Sequence, residues 1–347
     1  MPAPALVRHP APASLVGADG FRFGTYDGPV ADVDLLARWS GPARRWHGSR
    51  LKEWQAFQLG DERYFVLGAV YDAKLLGLLQ IVVVETATGE SWRWQHKVPS
   101  PVLSIASGLD GTHSSGSFRG LSIRVDNEVP AGRLGVTASA TADGHHSSMS
   151  LTVEGRCGGS EGAHLVICHP FPDGMPLYSD KCVMAASARL VFGDTEVTFD
   201  DADSFLILDD HKGHYPSPMR YDWVTGARHP PGEPRIAFNL TANQVRDPST
   251  FNENAVFWGD EVHRLPAVTF ERPHGVHRPW RITDREGRVD VTFEPTVRNE
   301  QHVGPRSVLA DYYGPFGHFD GTIELGDGRT VDVGGFFGMG EQKFIRF

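Results

Sequence analysis

One device recurs along almost the whole chain: a run of alternating or β-branched residues, a turn containing Gly, Asp or Asn, and a second such run. LLQIVVVE turns at TATGE into SWRWQHKV, GLSIRV leads through DNEVPAG into LGVTASAT, and TASAT turns at ADGHH into SMSLTV. ARLVF, AVFW, WRIT and GTIEL are each followed by a turn and a partner run in the same way. Alternation sends successive side chains to opposite faces, and Gly and Asn supply the backbone angles that tight hairpins need. No long amphipathic helix separates the runs to carry a parallel crossover, so the chain reads as all-β and antiparallel. Only VADVDLLARW, over 30–39, has a brief helical look.

Sequential hairpins suit closed barrels or sandwiches, because closure removes the edges on which strands aggregate. With 347 residues the chain can build two cores. Two barrels are expected: a flexible Pro- and Ala-rich arm over 1–20, an N-terminal barrel over 21–200 and a C-terminal barrel over 201–347. The hand-over is placed where VTFDDADSFLIL gives way to DDHKGHYPSPMRYDW.

Charge narrows the partners. Asp and Glu number 43 against 33 Lys and Arg, a net charge of -10, so the surface repels phosphate backbones and anionic membranes. The longest strongly apolar run, LLGLLQIVVVE, falls short of the roughly 20 residues a membrane-spanning helix needs. MPAPALVRHPAPASLVGADG lacks the basic start and continuous apolar core of a secretory signal, which points to the cytoplasm. Cys157, Cys168 and Cys182 show no CxxC spacing and read as buried, reduced thiols. Neither a metal site nor a cofactor is signalled: the glycines over 335–340 precede no helix, and no GxSxG elbow stands out.

The unusual polar chemistry gathers in 209–258. Asp209, Asp210, His211, His214 and Tyr215 could set a proton donor and acceptor beside an apolar small molecule, with Glu253 as a further acid or base. They could equally form a turn in which the aspartates cap backbone amides. Tyr221, Trp223, Asn239, Asn243, Asn252 and Asn254 offer an aromatic wall and amides to orient a ligand, as in small-molecule pockets. In a strand Asn252 and Asn254 would share one face and Glu253 the other; in a loop all three would bond backbone. Trp223 also suits a barrel core. Glu341, near the end of the last strand, could meet this block or pair with an arginine.

Several blocks, in this order, resemble a bacterial family known as domain of unknown function 2804: RLKEWQAF, LDDHKGHYP, IAFNLTAN, NENAVFWGDEVHRLPAVTFE, PWRITDREGRVDVTFEP and FGHFDGTIELGDGRTVDVGGFFGMGEQKFIRF. The resemblance covers most of the chain beyond residue 50. That family is distantly similar to two-domain lipocalin-like proteins that include carotenoid 1,2-hydratase. The resemblance implies two calycin-type barrels side by side with a ligand cavity in one barrel or between them. It also implies acid/base work by Asp, His, Tyr or Trp, although no role carries over by position. The expectation is a cofactor-independent hydratase, isomerase or cyclase; a lipocalin-like carrier and a carbohydrate-active protein are the alternatives.

Overall fold

In the computed structural model, which describes residues 7–74, 76–144, 146–157, 162–304 and 310–346, every hairpin named above forms. Leu76–Glu85 pairs with Ser91–Pro99, Leu121–Glu128 with Arg133–Ala140, and Val289–Val297 with Trp280–Asp284, all antiparallel. The chain is all-β, with one sheet a nearly closed barrel and the other a half-barrel.

The first sheet runs from Ser91–Pro99 through Leu76–Glu85, Tyr64–Asp72 and Lys52–Gly60 to Phe205–Gly213 and the long strand Pro176–Phe192. It continues through Met149–Arg156, Arg133–Ala140 and Leu121–Glu128 to Asp110–Phe118. Curling encloses a core that includes Phe57, Leu79, Ile81, Ile123, Leu151 and Leu208. The second sheet centres on Met219–Arg228 and Phe337–Ile345 and packs Phe238, Trp280, Phe293 and Phe319 inside. A third cluster, with Phe65, Val82 and Ile207 from one sheet and Phe316, Phe337 and Met339 from the other, joins the two. Each such side chain contributes about 1.5–3 kcal/mol by leaving water.

Three boundaries differ from expectation. The arm over 1–20 is packed where it is described: Leu15 is fully buried, and His9 and Ser14 bridge to Tyr26 and Asp32. Its Pro and Ala content weakens regular structure without preventing an apolar anchor. The sheet changes between Gly213 and Met219, later than residue 200, because Phe205–Gly213 pairs with Lys52–Gly60 in the first sheet. A helix at Gly41–Arg50 follows the short 3-10 turn Leu35–Arg38; none of its residues is buried, so it carries no apolar stripe that periodicity could reveal.

Cys157, Cys168 and Cys182 are free and buried. Among the described residues, no helix is long and apolar enough to cross a membrane.

Glycine is required where the central strands of the second sheet meet. Gly338 pairs with both Gly226 and Gly317, and a Cβ at 338 would lie 2.0 Å from the Thr225 carbonyl oxygen. Backbone cannot move aside as a side-chain tip can. Gly338→Ala should therefore cost about 1–3 kcal/mol, read as a lower urea midpoint; an unchanged midpoint would show that the strands are not packed this closely.

Candidate functional site

Strand alternation decides which polar groups meet. Along Phe205–Gly213, Leu206 and Leu208 enter the first barrel's core, whereas Phe205 and Ile207 face the second sheet. Asp209 and His211 continue the second face. They open into a cavity of about 380 Å³ between the sheets, walled by apolar groups such as Ala56, Leu67, Ala69 and Met339. Asp210 and Lys212 continue the first face and do not line it.

Inside the cavity, Lys181 holds two carboxylates. It stands opposite Asp209 in the neighbouring strand; its Nζ donates to Asp209 Oδ1 at 2.7 Å and lies 3.7 Å from Glu253 Oε2. Burial works against the Lys181 charge, but Asp209 and Glu253 outweigh it and raise its pKa above the ordinary lysine range. The Glu253 carboxyl is pushed up by burial, with Lys181 opposing. Trp54 Nε1 also donates to Asp209, at 3.4 Å.

Glu253 reaches this position from a loop built by asparagines. Asn252 Oδ1 accepts from the Asn254 amide at 3.0 Å, Asn254 Oδ1 accepts from the Thr241 amide at 2.6 Å, and Asn254 Nδ2 donates to the Pro266 carbonyl at 2.8 Å. Asn239 accepts from Trp223 Nε1 at 2.5 Å and donates to the Glu253 carbonyl at 2.7 Å. The geometry thus resolves the two readings of this segment: Asn252 and Asn254 build the loop, and Glu253 points inward. Asn239 supports the loop from behind, while Trp223 and Asn243 line the cavity.

His211 is the group best placed for proton transfer. Its ring stacks on Trp54 at 3.8 Å between centroids, and its Nε2 lies 2.6 Å from the Tyr215 hydroxyl. Burial first, then the nearby Lys181, Lys343 and Lys212 charges, push the imidazole well below its ordinary pKa. That shift favours the neutral ring. Burial also raises the Tyr215 phenol, so its proton stays on. A neutral imidazole bonded to a phenol can accept a proton through it, the phenol oxygen taking one from a reacting group as its own passes to the ring.

On the opposite wall, Glu341 accepts from the Tyr312 hydroxyl at 2.5 Å, and Lys343 donates to the Tyr221 hydroxyl at 2.9 Å. Glu341 makes no arginine pair among the described residues.

Two of the acid/base candidates lie elsewhere. Asp210 is fully buried on the barrel side, opposite Asp180, and its oxygens accept no hydrogen bond from the described residues; Lys212 Nζ is 4.0 Å away. Burial, opposed by Lys212 and reinforced by Asp180, pushes Asp210 up to about 7. His214 Nε2 donates to the His47 carbonyl at 3.2 Å beside the stacked Trp39 and His47 rings, and burial lowers it to about 4. Conversely, Trp54, Tyr71, Lys181, Tyr312 and Lys343 line the cavity but were not singled out from sequence. Lys343 carried a usable signal: two residues beyond Glu341 in one strand, it must share that residue's face. Among the described residues, no three His, Cys, Asp or Glu side chains converge as metal ligands would.

A family model described as domain of unknown function (DUF2804) matches residues 11–347. No curated protein matches the chain. Among solved structures, kievitone hydratase from Nectria haematococca is similar at 15% identity and TM-score 0.53, over 85% of this chain and 88% of the other. The structure of CghA with Sch210972 is similar at 12% identity and TM-score 0.51, over 86% and 88%. At such identities the likeness is one of fold.

Proposed function

The chain belongs to the domain of unknown function (DUF2804) family, and from that membership and the cavity's geometry we propose an acid/base enzyme of the hydratase, isomerase or cyclase type. Its substrate is a mostly apolar small molecule held between the two sheets, and the chemistry uses side chains without a dissociable cofactor. The observation that carries this reading is the buried His211, 2.6 Å from the Tyr215 hydroxyl, in the same apolar cavity as the carboxylates held by Lys181. The solved hydratase of similar fold supports it by analogy alone.

For a hydration, the proposed steps balance as follows. The Glu253 carboxyl, its pKa raised by burial, gives its proton to one alkene carbon. Water adds to the other carbon and loses a proton to the Tyr215 oxygen as the Tyr215 hydroxyl passes its own proton to the neutral His211 Nε2, leaving an imidazolium beside an intact phenol. Return of that proton through Tyr215 to the Glu253 carboxylate restores the resting state. A cyclase would replace the water by a second double bond of the same molecule, and an isomerase would lose a proton from a neighbouring carbon. The raised pKa of Glu253, a consequence of burial, brings a carboxylate closer to the range in which it both takes and returns a proton.

A carrier of apolar molecules gains little from acids whose burial costs free energy. The apolar walls formed by Ala56, Leu67 and Met339 favour an apolar body over a sugar, which carries hydroxyls on every side.

The test is incubation with a panel of prenylated phenols and linear polyenes in oxygen-18 water, followed by mass spectrometry. The expected product has gained one labelled water or is a rearranged isomer of unchanged mass. A panel compound bound stoichiometrically and recovered unaltered would sink the catalytic reading in favour of a carrier.

A further inference from the structure

Lys343 differs from Lys181 in one decisive respect. Lys181 is held by two carboxylates, whereas Lys343 makes no ion pair among the described residues and donates only to the Tyr221 hydroxyl, at 2.9 Å. An ammonium has three N–H donors, so two remain for something else. Four rings surround its nitrogen: Tyr71 at 4.7 Å, Trp54 and Tyr221 each at 5.1 Å, and Tyr312 at 5.5 Å. Burial lowers the Lys343 pKa, with Glu341 and Asp209 opposing, as befits a charge taken out of water.

Aromatic boxes of this kind usually receive a ligand's cation. Here the protein's own ammonium occupies the box, so a cationic ligand would be repelled. The wider charge balance agrees. The cavity is lined by five cationic side chains (Lys52, Lys97, Lys181, Lys343 and Arg346) and three anionic ones (Asp209, Glu253 and Glu341), although the chain as a whole carries -10. Two of those anions are engaged by Lys181, and the third accepts from Tyr312.

We propose that the substrate is an organic acid with an apolar body, its carboxylate or acidic enol oxygen received by Lys343 and Tyr221 while the body lies against the apolar walls. This deepens the reading of the cavity as a substrate site and rests on it. The anion end fixes the molecule's orientation, which determines which carbon is presented to Glu253. Lys343 is thus a binding residue, and its effect should appear in affinity.

Calorimetry with 2-naphthoate and 2-naphthalenemethanol tests this, because the two probes share an apolar body and differ in charge. The wild type should bind naphthoate about tenfold or more tightly than the carbinol, as a charge-assisted hydrogen bond implies. Lys343→Met should lose that preference and leave carbinol affinity within about twofold, since the removed group offered the carbinol little. Lys343→Arg should keep the preference, showing that charge rather than a folding defect is read. Equal affinities on the wild type, retention of the preference by Lys343→Met, or no binding of either probe in the millimolar range would each overturn the proposal. Because the readout is binding alone, failure to find a catalysed reaction leaves the result interpretable.

Discussion

Replacing His211 with phenylalanine lowers turnover by roughly two to four orders of magnitude, the usual worth of a positioned proton carrier. Phenylalanine keeps a ring against Trp54, where the imidazole stacks at 3.8 Å, so the cavity keeps its shape. What disappears is the nitrogen 2.6 Å from the Tyr215 hydroxyl. KM should stay within a few-fold, and stability should fall by only about 1 kcal/mol, the cost of leaving one buried hydroxyl unpaired. Tyr215→Phe should lose a similar factor, and the double variant little more, because the two act as one relay. The measurement is kcat and KM on the substrate identified by the screen, with a thermal melt alongside. A His211→Phe enzyme within tenfold of wild-type kcat would remove His211 from the reaction.

Asp210→Asn should stabilise the protein, by roughly 4 kcal/mol at pH 8. Asp210 is fully buried, and its folded pKa is raised from 3.8 to about 7, first by burial and then by Asp180 and Asp209, with Lys212 opposing. A raised pKa means that the folded state favours the protonated form. The stabilisation it provides is complete below the unfolded value near 3.8, declines as the unfolded state ionises, and is gone above about 7. Asparagine has nearly the same shape and never ionises. Its advantage should therefore grow from near zero at pH 4 to its full size above neutrality. Urea melts of both proteins across that range measure it, and a difference that does not change with pH would show that Asp210 does not titrate as described. Asp210 faces the barrel core, away from the cavity, so this variant should leave proton transfer largely intact.

The hairpins were legible because each is a local event: the turn residues and the alternating runs that flank them lie within a few residues of one another. The all-β class followed directly. The site was legible only where its chemistry was dense in sequence, from Asp209 to Tyr215 and at Glu253. Density does not say which way a strand faces, and that is why Asp210 and His214 parted from Asp209 and His211. Trp54 and Lys181 were hidden for a different reason. Each is a single unusual residue in an ordinary strand, and it gains meaning only through its cross-strand partner, His211 for Trp54 and Asp209 for Lys181. The first pairing spans much of the chain and the second 28 residues, and no local pattern encodes either.

The strand Phe205–Gly213 is a wall between two chambers with chemistry on both surfaces, and this bears on how the protein reaches a single form. A slip of one residue against Lys52–Gly60 would exchange the surfaces. Asp210 and Lys212 would then enter the cavity, and Asp209 and His211 would turn to the barrel side, the face from which Leu206 and Leu208 enter the apolar core. In a strand with one greasy side, only misplaced hydrophobic groups oppose such an error. Here the polar partners oppose it too, because Lys181 would lose Asp209 and Lys212 would lose the Ala106 carbonyl to which it donates. The misaligned sheet is thus penalised twice, and the residues proposed to move protons also act as a check on assembly.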